Sequence, residues 1–454
     1  MVEGAWQFRE MPVKDIVFST TDDRGIITDV NVVFGRLAQF SRAELIGAPH
    51  NIVRHPAMPG AVFKAMWDTL QAGQPFVGYV RNMAADGKEY VVFATVTPLP
   101  GGGYLSVRTR PVVKKLFSAA IRLYRSVHRA EENYRSEGSN RREVAARGVE
   151  KLVEQLNEAG FPNYEHFMWQ ALPAEVTTRE AQLDGLPGRD HEPGILGQAL
   201  AITRGIMGEL DMWMDAAEQL HDLTTQIRAV AADITADLTD GAVKEETIVA
   251  FRSCGPQYDQ VVEPLQLWLQ MQPIVTAALT TMVERLTALA DNSARTRFRI
   301  ALSRLHTTMI ANFTVELIDG EPDAAASAHS IEALTVALRD GMQQMRASFG
   351  DTRNLASASA ESVAGATFAL DVPRQVLELF TNGIQGLDLP ADLAREAARI
   401  AAAVQRADDN LARLNTLIEA ARRIGERDIP FNINADLAQL VAAAPLIATY
   451  RSQR

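Results

Sequence analysis

The side chains in this 454-residue chain best suited to hold a metal or attack a substrate are eight histidines and one cysteine. Their spacing argues against both uses. His50, His55, His128, His166, His191, His221, His306 and His329 are scattered, with no pair at the separation that zinc or iron sites require. Cys254 stands alone, which rules out an internal disulfide and a paired-cysteine zinc site. There is no phosphate-cradling glycine loop ending in Lys-Ser or Lys-Thr, no GxSxG nucleophile turn and no HExxH helix. The phospho-acceptor and ATP boxes of histidine kinases and the GGDEF and EAL signatures are also missing. The expectation is a protein that is not an enzyme, holds no metal and acts by binding.

The elements that would position a binding site fall into two regions. In residues 13–110, β-branched runs alternate with turn chemistry. VKDIVFSTTD and GIITDVN are two strands separated by DDRG, and FVGYVRNMA, EYVVFATVTPL and GYLSVRTRP are three more, punctuated by DGK and PGGG. Between the two sets lie short helices. Val33, Leu37 and Phe40 share one face, Ser41 and Glu44 form a capping box, and 58–72 places Phe63, Met66, Trp67 and Leu70 on one side. After Pro111 strand signals vanish. Ile206, Leu210, Trp213, Ala217, Leu220, Thr224, Ile227, Ala231, Ile234 and Leu238 recur at alternating spacings of four and three, the seam of a coiled coil or bundle. Val275, Leu279, Met282, Leu286 and Leu289 form a second seam. Breakers at 135–140, 184–194, 319–324 and 386–393 divide this region into six to eight helices. The fold class expected is α+β: a five-stranded antiparallel sheet with short helices, then a large all-α bundle or coiled-coil region. The expected divisions are an extension at 1–10, a sensor domain at 11–112, a helical connector at 113–195 and a bundle at 196–454.

Composition bounds the partners. The net charge is −11, and residues 1–112 hold 11 Lys/Arg against 10 Asp/Glu, so the acidic excess lies in the remainder, with 34 against 46. An acidic surface repels phosphate backbones, so nucleic acid is not an expected partner. The exception is 114–142, with eight Lys/Arg against three Glu, which reads as a solvated face or a surface for an acidic protein. No apolar run approaches the ~20 residues needed to cross a bilayer, and the start MVEGAWQFREMP lacks the parts of a secretion signal. A cytoplasmic location without a membrane span is expected.

The strand and helix order resembles a PAS domain, and the local sequence narrows this. ITDVNVVFGRLAQF, PHNIVRHPAMP, a helix carrying Met66-Trp67 and the pattern GxPxxGxVxN from Gly73 to Asn82 resemble the PAS domain of the bacterial aerotaxis receptor family over residues 11–112. The resemblance implies non-covalent FAD in a pocket between sheet and helices, with its redox state as the signal. It also implies Asn31, Arg54, His55, Trp67 and Asn82 as cofactor-binding candidates. Trp67 offers a flat wall with one N–H, Asn82 can donate and accept at a flavin edge, and Arg54 can fork onto a phosphate. Two positions depart from the family: Ala57 stands where an acid is usual, and Phe76 where a tryptophan is usual. Each candidate also has an ordinary reading, Trp67 as core, Arg54 and His55 as helix caps or interdomain contacts, Asn31 as a turn or cap. Adduct photochemistry of the light-sensing relatives is not expected, because the sole thiol is Cys254 in the helical region. Residues 410–440, with Leu414, Asn415, Ile418, Glu419, Ala420, Ala421 and Arg422, resemble the signalling tip of methyl-accepting chemotaxis receptors, yet RDIPFNINA replaces the turn. A degenerate tip that closes the bundle is expected, with Pro430 and Pro445 breaking any return helix. The leading functional expectation is a redox or oxygen sensor, paired as a homodimer and signalling through an unidentified protein partner. The alternatives are a scaffold without cofactor and a haem-based gas sensor using His55 or another pocket histidine.

Overall fold

The computed structural model describes residues 8–189, 191–240, 243–320, 324–425 and 433–450. Strands β1 (Val17–Thr21) and β2 (Ile27–Val30) are joined by a turn in which the Asp22 carboxylate accepts from the Arg24 and Ile26 amides at 2.9 and 2.8 Å. Helices α1 (Val32–Ala38) and α2 (Arg42–Leu45) follow, the second opened by the anticipated Ser41 and Glu44 capping box. A 3-10 turn at His50–Val53 leads to α3 (Gly60–Gln71). Strands β3 (Phe76–Met83), β4 (Glu89–Pro98) and β5 (Tyr104–Thr109) complete an antiparallel sheet ordered β2-β1-β5-β4-β3. Pleating gives each strand two faces. One face turns Phe76, Val80 and Asn82 of β3, Ala94 and Val96 of β4 and Tyr104, Ser106 and Arg108 of β5 toward α3 and the turns around it.

The opposite face meets helices that follow the sheet in sequence. α4 (Lys114–Ser136) and α6 (Tyr164–Glu180) pack against it along β3, and α5 (Arg141–Glu158) packs on α4 and α3. Tyr79 packs against Phe93, Phe117 and Phe167, with ring centroids 5.0 to 6.3 Å apart. Its hydroxyl donates to Glu175 at 2.7 Å, and the same carboxylate accepts from the Val112 and Val113 amides where the helical region begins. Along the edge strand β3, the Val77 N–H donates to the Met168 sulfur at 3.2 Å.

The remaining helices are α7 (Gly194–Asp240), α8 (Glu245–Ser253), α9 (Asp259–Asp319), α10 (Ala324–Gly383), α11 (Ala391–Gly425) and α12 (Ile433–Tyr450). Among the described residues nine α-helices follow the sheet, more than the six to eight expected. α12 runs through Pro445 without interruption, contrary to the expected break, because proline removes one hydrogen bond yet need not end a helix that packing holds. The substituted turn at Pro430-Phe431-Asn432 lies outside the described residues.

The described residues group into two compact units. One unit comprises the described residues of 1–214, 295–346 and 430–454, the other 215–294 and 347–429. In the first, Phe313 of α9 meets Phe18 of β1 edge-on at 5.2 Å. In the second, Leu220, Ile227, Phe251, Trp268, Met282, Phe380 and Leu414 belong to one apolar core. Both predicted seams are buried from Ile206 to Ile234 and from Val275 to Leu289, and the Leu238 side chain lies outside what is described. No helix among the described residues is long and apolar enough to cross a membrane.

Candidate functional site

Between the inner sheet face and α3 lies a cavity of about 420 Å³, within the range of pockets that enclose small ligands. The periodicity of α3 explains its wall. Ala61 and Val62 are buried away from the cavity, while Phe63, Met66, Trp67 and Leu70 line it. The stripe that reads as core in the sequence is therefore the ligand-facing side. Trp67 stands edge-on to Tyr104, with centroids 5.4 Å apart. Its indole edge would lie 3.3 Å from a β-carbon at Gly25, where φ is +78°, so glycine there serves both the turn and the fit of Trp67.

Three of the five candidates face this space. Arg54, Trp67 and Asn82 line it, whereas Asn31 and His55 do not. The Asn31 amide accepts from the Phe18 and Phe34 N–H groups at 3.0 and 3.2 Å and donates to the Ile16 carbonyl at 2.8 Å. It caps α1 and ties it to β1. His55 is buried with Nδ1 accepting from the Ala57 amide at 3.0 Å, which leaves its proton on Nε2, 3.3 Å from Glu89. Burial, with Arg81 nearby, holds this imidazole below its usual range. Asn82 has no hydrogen-bond partner for its amide among the described residues, although it is 5% exposed. Its amide opens onto the cavity, where a polar ligand edge would supply the hydrogen bonds it does not make within the protein.

The cavity also contains polar groups that sequence reasoning missed. Arg108 is 4% exposed, donates to the Ser19 hydroxyl at 2.6 Å and to His50 Nε2, and has no carboxylate at ion-pair distance among the described residues. Burial holds its guanidinium down to about 10. The neighbouring His50 stacks on Phe34 at 5.8 Å, and burial followed by the Arg108 charge keeps it neutral well below its usual range. The available signal was the alternation in GYLSVRTRP, which puts Tyr104, Ser106 and Arg108 on one face. Phe76, at the unusual position, lines the cavity and stacks on Tyr164 of α6 at 5.1 Å, nearly parallel.

These groups bear on the cofactor classes. The walls are aromatic and apolar, and the polar edge combines an amide that can donate and accept with a cation, which fits the ring of a flavin. They suit haem less well, because both His55 nitrogens are engaged and His50 Nε2 faces a guanidinium. Among the described residues no group of histidine, cysteine and carboxylate side chains is placed to hold a metal ion. Cys254 is half-buried beside the core of the other compact unit and is not a lining residue.

Comparison with known proteins agrees with this architecture. Residues 27–103 match the family model described as PAS fold. The chain is 39% identical to the aerotaxis receptor of Escherichia coli over 116 residues, covering 25% of this chain and 23% of that receptor. It is 33% identical to the nitrogen fixation regulatory protein of Klebsiella pneumoniae over 84 residues, 18% of this chain and 17% of that protein. The chain therefore spans less than a quarter of the length of either curated relative. Among solved structures it is similar to a PAS domain from Colwellia psychrerythraea, with 23% identity, a TM-score of 0.19, and 22% of this chain and 87% of that one covered. The strand order, the cavity under α3 and the family match coincide in one segment, and the N-terminal region of this chain is a PAS domain.

Proposed function

We propose that this chain is a flavin-bearing redox or oxygen sensor, with FAD as the cofactor, whose PAS domain signals through its helical region to a protein partner. The observation that carries this reading is the pairing of the unpartnered Asn82 amide with the buried Arg108 cation inside an aromatic-walled cavity. The identity to the aerotaxis receptor over the same segment supports it. A bound flavin supplies a ring whose nitrogen-bearing edge changes charge and protonation on reduction. Arg108 keeps a fixed positive charge toward the cavity. Asn82 presents an amide that serves a proton-bearing or a proton-accepting atom by rotating half a turn. That rotation is the local event by which the ligand's state would bias β3.

A cytoplasmic homodimer without catalytic activity belongs to the same proposal. So does a closed C-terminal end. Leu414, Ile418 and Ala421 of the receptor-like motif are buried in the core of their unit, while Asn415, Glu419 and Arg422 are exposed. The absorption spectrum of the purified protein, with extraction and identification of the chromophore, tests the cofactor. The paired bands of a flavin are expected; a haem Soret band or a colourless folded protein would overturn the reading.

A further inference from the structure

The mouth of the cavity is framed by arginines from three separate elements. Arg24 comes from the turn between β1 and β2, Arg54 from the segment before α3, and Arg141 from the first turn of α5. Arg141 lies outside the segment that matches the PAS family, in the basic stretch at 114–142 that the sequence reads as a solvated face or a surface for an acidic protein. Arg24 leans toward Asp22 at 3.5 Å with its side chain 83% exposed. Arg54 stacks on the Phe63 ring at 4.1 Å and donates to the Met58 carbonyl at 3.0 Å. Arg141 has no ion-pair partner among the described residues.

The balance of charge at this rim is positive. Of the nearby carboxylates, Asp22 is shared between Arg24 and the Arg24 and Ile26 amides, and Glu131 is fully buried and already accepts from the Gly60 and Ala61 amides at 2.9 and 2.7 Å and from Arg135 at 3.4 Å. Burial lowers the affinity of Arg54 for its proton, and the charges of Arg141 and Arg135 add to this against the pull of Glu131. The amides at the start of α5 are not on offer, because the Asn140 side chain takes those of Arg142 and Glu143 at 3.0 Å. What the rim presents is guanidinium groups. These fork onto phosphate oxygens, and they stand outside an interior suited to a flat ring.

We propose that Arg141, with Arg54 and Arg24, forms a phosphate-binding rim, so that the cavity retains a flavin carrying a phosphate or pyrophosphate and α5 is part of the ligand site. This rests on the flavin reading and adds to it a residue from the helical region. A phosphate held by Arg141 fastens α5 across the cavity mouth, and ligand occupancy then sets how firmly the α4 and α5 pair is docked.

The test titrates apoprotein with riboflavin, FMN and FAD, using wild type and Arg141→Gln, whose exposed position spares the fold. Wild type should bind FMN or FAD about tenfold or more tightly than riboflavin, since each bond to a charged group adds substantially. Arg141→Gln should lose that advantage and leave riboflavin affinity unchanged, and added salt should erode it in wild type. Equal affinities for all three flavins in wild type, or no difference between the proteins, would overturn the rim while keeping the flavin cavity. If none of the flavins binds, the flavin reading fails and inorganic pyrophosphate decides the rim by thermal shift. Stabilisation of wild type but not of Arg141→Gln upholds it; no shift in either overturns it as well.

Discussion

Two asparagines with the same chemistry have opposite uses here. Asn31 spends its amide on three protein partners, so Asn31→Ala should cost about 2 kcal/mol or more by leaving the Phe18 and Phe34 amides and the Ile16 carbonyl short of partners. Asn82 has none among the described residues, so Asn82→Leu should leave the apoprotein's stability within about 0.5 kcal/mol and still abolish stabilisation by added flavin. Denaturant midpoints with and without ligand check both; a destabilised Asn82→Leu apoprotein would count against the assignment. Trp67→Ala should release flavin from a folded domain, because the indole is a cavity wall, and full flavin content in the variant would remove Trp67 from the site. Away from the site, His306 is buried in α9 and burial holds its imidazole down to about 4. The unfolded chain titrates near ~6.5, so it binds more protons than the folded one between those values. Stability from neutral His306 is therefore full above that window and falls as pH drops through it, by about 3 kcal/mol in all. His306→Leu should flatten this acid slope, as unfolding midpoints at pH 7 and 5 would reveal; parallel slopes would refute it. Arg54, Trp67 and Asn82 were legible from a motif, because all three sit within one contiguous segment. Asn31 and His55 belong to the same motif but act on the backbone, and a motif does not say which way a side chain points. Strand alternation could have put Arg108 on the inner face, but that it stands there beside Ser19 and His50 and not a carboxylate depends on residues distant in sequence.

Helix termini show a similar contrast between local and distant partners. The capping box of α2 was readable because Ser41 and Glu44 are three residues apart. The start of α3 has no cap of its own, and its amides are served by Glu131, some seventy positions later in α4. No local pattern marks such a cap. Glu131→Ala should cost on the order of 3 kcal/mol, since two hydrogen bonds to a buried charge are lost. It should also weaken flavin retention although Glu131 does not line the cavity, because α3 carries the wall. Gly148→Ala should do the same more mildly, its β-carbon arriving 2.8 Å from a Glu131 oxygen and 3.1 Å from Ala61. Thermal melts with and without ligand decide this; a melt lowered equally in both conditions would separate α3 seating from binding. The strands were legible to within a few residues, because alternation is a local property. The packing of α4 and α6 on the outer sheet face was not, since long amphipathic helices read alike whether they meet a sheet or one another.

At the scale of the molecule, the sheet is covered on both faces within one compact unit, and this bears on how the chain can be divided. A fragment ending at residue 112 would expose Phe18, Val77, Tyr79 and Phe93, all nearly fully buried in the whole chain. At about 1.5–3 kcal/mol per large apolar side chain, that fragment should be aggregation-prone or markedly less stable than the full protein. A soluble, monomeric 8–112 fragment with the melting temperature of the full chain would contradict this. Light scattering across a wide concentration range tests the proposed homodimer, which a constant monomer mass would reject. The edge strand has a further consequence. β3 pairs with β4 on one side; on the other its far end meets the backbone of Arg54 and His55, the His55 N–H donating to the Arg81 carbonyl at 3.3 Å, while its Val77 N–H rests on a thioether, a weak acceptor. Val77 and Tyr79 alternate along the strand with Val80 and Asn82, so the amide that would touch the ligand is three residues from a tyrosine fastened to the first turn of the helical region. Ligand state should therefore be written first in the hydrogen-exchange rates of Val77 and Tyr79, where a clock of opening events can be read without knowing the partner that listens.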